Sequence, residues 1–250
     1  MLISTSLFAR FSRPLSGRTP RLGVSALVFA AALTWGQAFS APVPRSSPFA
    51  AEINGFAADD RAAAPPPCAL LFVGSSSIGL WETLAKDMAP FPVINRGFGG
   101  SYIRNVNAYF DRVVAPYRPR AIIFYAGEND IESGRAPADL ADDFALFMRL
   151  KTDRLGATPV YFISVKPTKA RWSQLAEQTK LNDLIRAIAA RRQDLRFIDV
   201  GPAMLENGAP KPLFQEDGLH LNAAGYTIWT RAVRDALARP ITARAPGCPD

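Results

Sequence analysis

The chain has 250 residues, 48% of them hydrophobic and 20% charged, which suits one globular domain with extensions and leaves enough length for a sizeable core. Its formal net charge of +7 is weighted to one end: Arg10, Arg13, Arg18 and Arg21 fall in the first 41 positions, which hold no acid, and the rest carries 25 basic against 22 acidic residues. So mild an excess, without a Lys/Arg cluster or a nucleic-acid motif, argues against nucleic acid as a partner.

Residues 1–40 read as targeting rather than fold. A basic stretch precedes an uncharged apolar run over 22–35, followed by the small residues Ala38, Ser40 and Ala41. The run has no polar face, so it does not suit a helix packed on a domain. Two fates fit: a signal peptide cleaved after Ser40, giving a periplasmic or secreted protein, or an uncharged stretch over 22–44 kept as an N-terminal membrane anchor. Membrane association is expected through this segment alone, and only if it is uncleaved.

From 41 to 67 the chain is rich in Ala, Pro and Ser and ends on Pro65-Pro66-Pro67, which predicts a linker. A domain over 68–240 and a tail over 241–250 follow. Short continuous apolar runs predict strands at 69–73, 92–95, 121–125, 160–164 and 195–199, of the kind buried on both faces. Between them apolar residues recur at helical spacing: Ile103, Val106, Phe110 and Val113; then Leu140, Phe144 and Phe147; then Leu181, Leu184, Ile185 and Ile188. A last helix is expected to start near Asn222, a good N-cap, and to carry Tyr226, Trp229 and Val233. Strand and helix alternating in this way predict a three-layer α/β/α sandwich with a five-stranded parallel sheet.

The two cysteines, Cys68 and Cys248, bracket the predicted domain. In an exported chain they are candidates for a disulfide joining its ends, the alternative being two unrelated thiols.

Ligands of such sheets bind beyond the carboxyl ends of the strands, so chemistry is sought there. The first strand is followed by Gly74-Ser75-Ser76-Ser77-Ile78, a turn that presents a hydroxyl at the start of a helix. It is neither a P-loop nor a Gly-x-Ser-x-Gly elbow. The second is followed by Asn95-Arg96-Gly97-Phe98-Gly99-Gly100-Ser101, where glycine lets backbone N–H approach a ligand. The third leads to Gly127-Glu128-Asn129-Asp130, with an amide donor at a strand end. Taken singly each is an ordinary cap or turn. Before the last helix stands Asp217-Gly218-Leu219-His220, and His220 is the only histidine in the chain. A carboxylate three positions earlier can take the ring's Nδ1 proton and leave Nε2 free to accept one from a serine. One histidine and two distant cysteines argue against a zinc site.

In order, spacing and strand placement these four blocks together resemble the SGNH hydrolases (GDSL-like lipases and esterases), over about residues 69–237. The resemblance implies a flavodoxin-like fold and a serine esterase that hydrolyses acyl or acetyl esters of a small molecule, glycan or lipid, with no cofactor. Carried over by position, it implies Ser76 as nucleophile and Asp217 and His220 as the rest of a triad. The oxyanion donors would be the N–H groups of Ser76 and Gly100 and the Asn129 amide. Ser75 departs from the family, which usually has Asp there, and that bears on local structure. Glu128, in the variable place before Asn129, is expected to bear on substrate choice. The same machinery can pass the acyl group to a sugar hydroxyl, making an O-acyltransferase, and an inactive glycan-binding module on this fold is the reading outside catalysis. Lys166 and Arg171, after the fourth strand, read as a solvated loop, with an acidic substrate as the alternative. Trp81, Phe98, Tyr102, Tyr125 and Trp172 can line a pocket, though at this spacing most read as core.

Overall fold

A computed structural model describes residues 48–239 and 241–248; the expected leader at 1–40 lies outside them. In chain order the elements are α1 (Ala50–Ala62), β1 (Leu70–Gly74), α2 (Ser76–Gly79), α3 (Leu84–Asp87), β2 (Val93–Gly97), α4 (Ile103–Ala108), α5 (Phe110–Val113) and β3 (Ala121–Tyr125). Then come α6 (Glu128–Glu132), α7 (Pro137–Leu155), β4 (Val160–Ile163), α8 (Leu175–Ala189), β5 (Leu195–Ile198), α9 (Gly201–Met204), the short strands β6 (Leu205–Glu206) and β7 (Ala209–Pro210), and α10 (Ala223–Leu237).

β1 to β5 form one parallel sheet in the order β2-β1-β3-β4-β5. Each predicted strand is present, β3 with the expected bounds and the others within two residues of theirs. Side chains alternate across the sheet, so Leu71, Val73, Ile122 and Phe124 enter one core while Leu70, Phe72, Ile123 and Tyr125 enter the other. Both faces are covered, which is why these runs are apolar throughout. The first layer is built by α1 and α4 to α8, the second by α2, α3, α9 and α10. The helix expected across 103–113 is broken at Tyr109, whose ring packs edge-on against Phe49 and Phe98. α10 starts as expected, with the Asn222 side chain accepting the Gly225 N–H at 3.1 Å.

Two boundaries are corrected. The stretch expected as a linker holds α1, a 13-residue helix docked on the first layer. Phe49, Ile53 and Phe56 recur at helical spacing: Ile53 is buried, Phe49 packs on Phe98 at 5.1 Å, and Arg96 lies over the Phe56 ring at 5.0 Å. Asp60 accepts from Tyr117 Oη at 2.6 Å and pairs with Arg96. Alanine is the best helix former, so the composition that suggested a linker also suits this helix, and the prolines follow its end. The tail likewise belongs to the domain, since Ile241 and Ala245 are buried and Cys248 is bonded to Cys68, with Cα atoms 5.5 Å apart.

Candidate active site

The strand order reverses between β1 and β3, and the loops that leave the carboxyl ends of the strands there build one cavity of about 560 Å³. β1 closes on Gly74 at φ +138°, where a Cβ would lie 1.8 Å from the Tyr125 carbonyl oxygen, so only glycine fits. Ser75 is extended; its N–H donates to the Tyr125 carbonyl at 2.9 Å, and its own carbonyl accepts from the N–H groups of Ile78 and Gly79 at 2.9 and 3.2 Å. Its backbone thus closes the turn without help from its side chain, and Ser76 opens α2, half-buried at the cavity wall.

β2 clamps this turn from one side. A Cβ on Gly97 would come within 2.2 Å of Gly79 N, and Asn95 bridges the two elements, donating to the Ile78 carbonyl at 2.8 Å and accepting from Gly97 N–H at 2.9 Å. The turn that follows is tied to β1, because Phe98 N–H and Ser101 Oγ both donate to the Gly74 carbonyl, at 2.9 and 3.0 Å. Between them Gly100 takes φ +71° and faces the cavity.

At the end of β3, Gly127 takes φ +119°, in a space where a Cβ would meet the Leu181 side chain at 2.8 Å. Asn129 reaches the same cavity. Its Nδ2 donates to the Ser101 carbonyl at 3.2 Å, and its Oδ1 accepts from Arg171 Nη1 at 3.0 Å. Asp130 is fully buried and accepts the Ile103 N–H at 3.3 Å. Burial pushes its carboxyl up to about 6, against the pull of that N–H and of Arg135.

The loop before α10 brings the last two residues. Asp217 Oδ1 accepts from the N–H groups of Leu219 and His220 at 2.8 and 3.0 Å, and its Oδ2 lies 2.5 Å from His220 Nδ1. Burial acts upward on this carboxyl, but the Leu219 N–H and then the His220 ring and N–H outweigh it and hold the group at about 2. His220 Nε2 lies 2.9 Å from Ser76 Oγ. All five expected residues therefore meet at one place: Ser76, Gly100, Asn129 and His220 line the cavity and Asp217 backs the imidazole. Among the described residues no group of three or more His, Cys, Asp and Glu is placed to hold a metal ion.

Three expectations are corrected beneath the cavity floor. Lys166 is not on a solvated loop but fully buried, 2.5 Å from Glu128 Oε2, 3.1 Å from Ser77 Oγ and 3.2 Å from Tyr125 Oη. Glu128 is also buried, its Oε2 accepts from Tyr125 Oη as well at 2.8 Å, and it is not among the residues that line the cavity. Burial drives the Lys166 ammonium down, opposed by Glu128. Arg171 is largely covered as well and binds Asn129. The aromatics follow the core reading at Trp81, Phe98 and Tyr125, all buried. Glu52 on α1, which also lines the cavity, was hidden in the presumed linker; the spacing of Phe49, Ile53 and Phe56 around it was the available signal.

The family model for GDSL-like lipases and acylhydrolases matches residues 72–228, well over half of the chain. The chain belongs to that family. As a GDSL-like acylhydrolase it is a hydrolase that acts on ester bonds. Among curated proteins none matches the sequence. Among solved structures the chain is similar to a GDSL-like lipase from Bacteroides thetaiotaomicron, at 22% identity and TM-score 0.63, over 75% of this chain and 98% of that one. It is also similar to a catalytic mutant of an acetylxylan esterase from Geobacillus stearothermophilus, at 15% identity and TM-score 0.58, over 70% and 96%. A carbohydrate esterase family 3 protein from Talaromyces cellulolyticus gives 15% identity and TM-score 0.54, over 68% and 96%. At these identities the likeness is one of fold, and it is the fold in which this GDSL-like chain sets its loops.

Proposed function

We propose that the chain is a serine esterase that cleaves carboxylic esters of short acyl groups, acetyl among them, through an acyl-serine intermediate. The observation that carries this reading is the unbroken run of contacts from Ser76 Oγ through His220 to Asp217, 2.9 and 2.5 Å long. Ser76 Oγ attacks the carbonyl carbon while His220 Nε2 takes its proton; collapse of the tetrahedral adduct expels the alcohol, which recovers that proton. Water then repeats the sequence on the acyl-serine and frees the acid. The N–H groups of Ser76 and Gly100 and the Asn129 amide are the donors for the oxyanion. Asp217, held as a carboxylate, keeps the Nδ1 proton in place so that Nε2 remains the base.

A short acyl group is favoured by the cavity lining, where Gly79, Gly97, Gly99 and Gly100 face only two aliphatic side chains, Leu80 and Leu219. Action on acetylated glycan is compatible with this, as is the likeness to an acetylxylan esterase. Export to the periplasm or beyond is part of the proposal, supported by the Cys68–Cys248 disulfide. The test is a fluorophosphonate probe together with 4-nitrophenyl acetate. Ser76 is expected to carry the label, and Ser76→Ala to lose both labelling and turnover. A wild-type chain that neither takes the label nor releases nitrophenol would sink the reading.

A further inference from the structure

We infer that Glu52, on a helix outside the family-matched residues 72–228, holds the oxyanion turn in place and gives the site a preference for neutral esters over anionic ones; the inference rests on the esterase reading above. Glu52 Oε1 accepts the Gly99 N–H at 2.9 Å, one residue before Gly100, whose N–H is assigned to the oxyanion. Gly100 has open space around it, with no atom within 4 Å of where a Cβ would stand, so packing does not hold this residue. The turn is anchored at its ends by buried Phe98 and Ser101, and between them the hydrogen bond from Gly99 to Glu52 holds it.

The carboxylate is itself on a fixed platform. Ile53 beside it is buried, Arg112 Nη2 donates to Asn54 Oδ1 at 3.1 Å, and Asp60 pairs with Arg96 two turns on. Among the described residues, Glu52 is also the one carboxylate that lines the cavity with Ser76 and His220. A carboxylate accepts several hydrogen bonds, so after Gly99 it retains capacity for a substrate hydroxyl. A second negative charge about 6 Å away is opposed roughly threefold to a hundredfold, depending on the local dielectric, and less as salt is added. Glu52 is thus a positioning and selecting residue, not a catalytic one.

The experiment compares wild type, Glu52→Gln and Glu52→Ala, as full chains, on methyl 4-acetoxybenzoate and on 4-acetoxybenzoate, which share the acyl group and differ by one charge. Glu52→Ala is expected to lower kcat on both esters by about tenfold, and Glu52→Gln, which keeps an acceptor for Gly99, to restore most of that loss. Glu52→Gln is further expected to raise kcat/KM for the anionic ester about tenfold relative to the neutral one, and the wild-type preference to shrink as salt rises. Variants that label at Ser76 but keep wild-type kcat and wild-type discrimination would overturn the inference and leave the esterase reading standing. A wild-type chain without label at Ser76 takes both down.

Discussion

An amide has a donor end and an acceptor end, so Asn129 can serve an oxyanion only when its nitrogen is turned toward the cavity. Arg171 settles that orientation. A guanidinium has donors only, and Nη1 stands 3.0 Å from Asn129 Oδ1, so the flipped amide would set donor against donor. Arg171 is itself held against Glu132 at 3.4 Å and Glu128 at 3.9 Å. Asn129→Ala is expected to lower kcat by about 10²- to 10³-fold, the usual loss for one oxyanion donor. Arg171→Ala is expected to lower kcat about tenfold with little change in KM, because the donor survives but is no longer held. The double variant should be no slower than Asn129→Ala, since an orienting group has nothing left to orient. Kinetics of the four proteins on one ester check this, and losses that multiply would mean that Arg171 acts by another route.

Between elements, Asp130 of α6 receives the N–H that begins α4, and so ties the end of β3 to the segment that leaves the Gly99-Gly100 turn. Its carboxyl, at about 6 in the fold against an ordinary 3.8, holds a proton that the unfolded chain has released. The folded state thus binds more protons between about pH 4 and pH 6, and the stability from this group is present in acid and lost as pH rises through that window. Relative to Asp130→Asn, wild type is expected to lose about 2 kcal/mol from pH 4 to pH 7, at 1.4 kcal/mol for each pKa unit and with the unfolded carboxyl already partly ionised at pH 4. Urea unfolding of both proteins at the two pH values measures the difference; parallel pH profiles would refute it. This contact marks the limit of what the chain discloses before folding. Strands such as 121–125 are legible because burial on both faces leaves a continuous apolar run, and Asn222 because a cap acts on its own helix. Ser76 and Asn129 are legible because each stands just past the end of a strand, and His220 because it is the only histidine of the chain, with Asp217 three positions before it. Lys166 beside Glu128 is not, since the two are 38 positions apart and only the sheet order brings their loops together. Glu52 is only faintly legible, because Ala and Pro carry the same composition into a linker and into a helix with its proline stop, and the spacing of Phe49, Ile53 and Phe56 is the sole mark that separates the two.

At the scale of the whole molecule, Ser76 and His220 are 144 positions apart, so the site exists only when the first strand and the last helix are closed on the same sheet. The Cys68–Cys248 bond spans 180 positions and ties the residues just before β1 to those after α10, which are the two ends of that closure. It touches none of the groups around Ser76, so it acts on the cost of folding and not on the chemistry. Closing so long a loop removes entropy from the unfolded chain worth up to about 5 kcal/mol. Reduction, or the double variant Cys68→Ser with Cys248→Ser, is therefore expected to lower Tm by roughly 5–15 °C while kcat at 25 °C stays within about twofold. Calorimetry of oxidised and reduced protein, with ester turnover on the same samples, separates the two effects. An unchanged Tm would mean that the packing of Ile241 and Ala245 already closes the domain without the bond, and a lost kcat at an unchanged Tm would mean that the chain ends reach the site through β1.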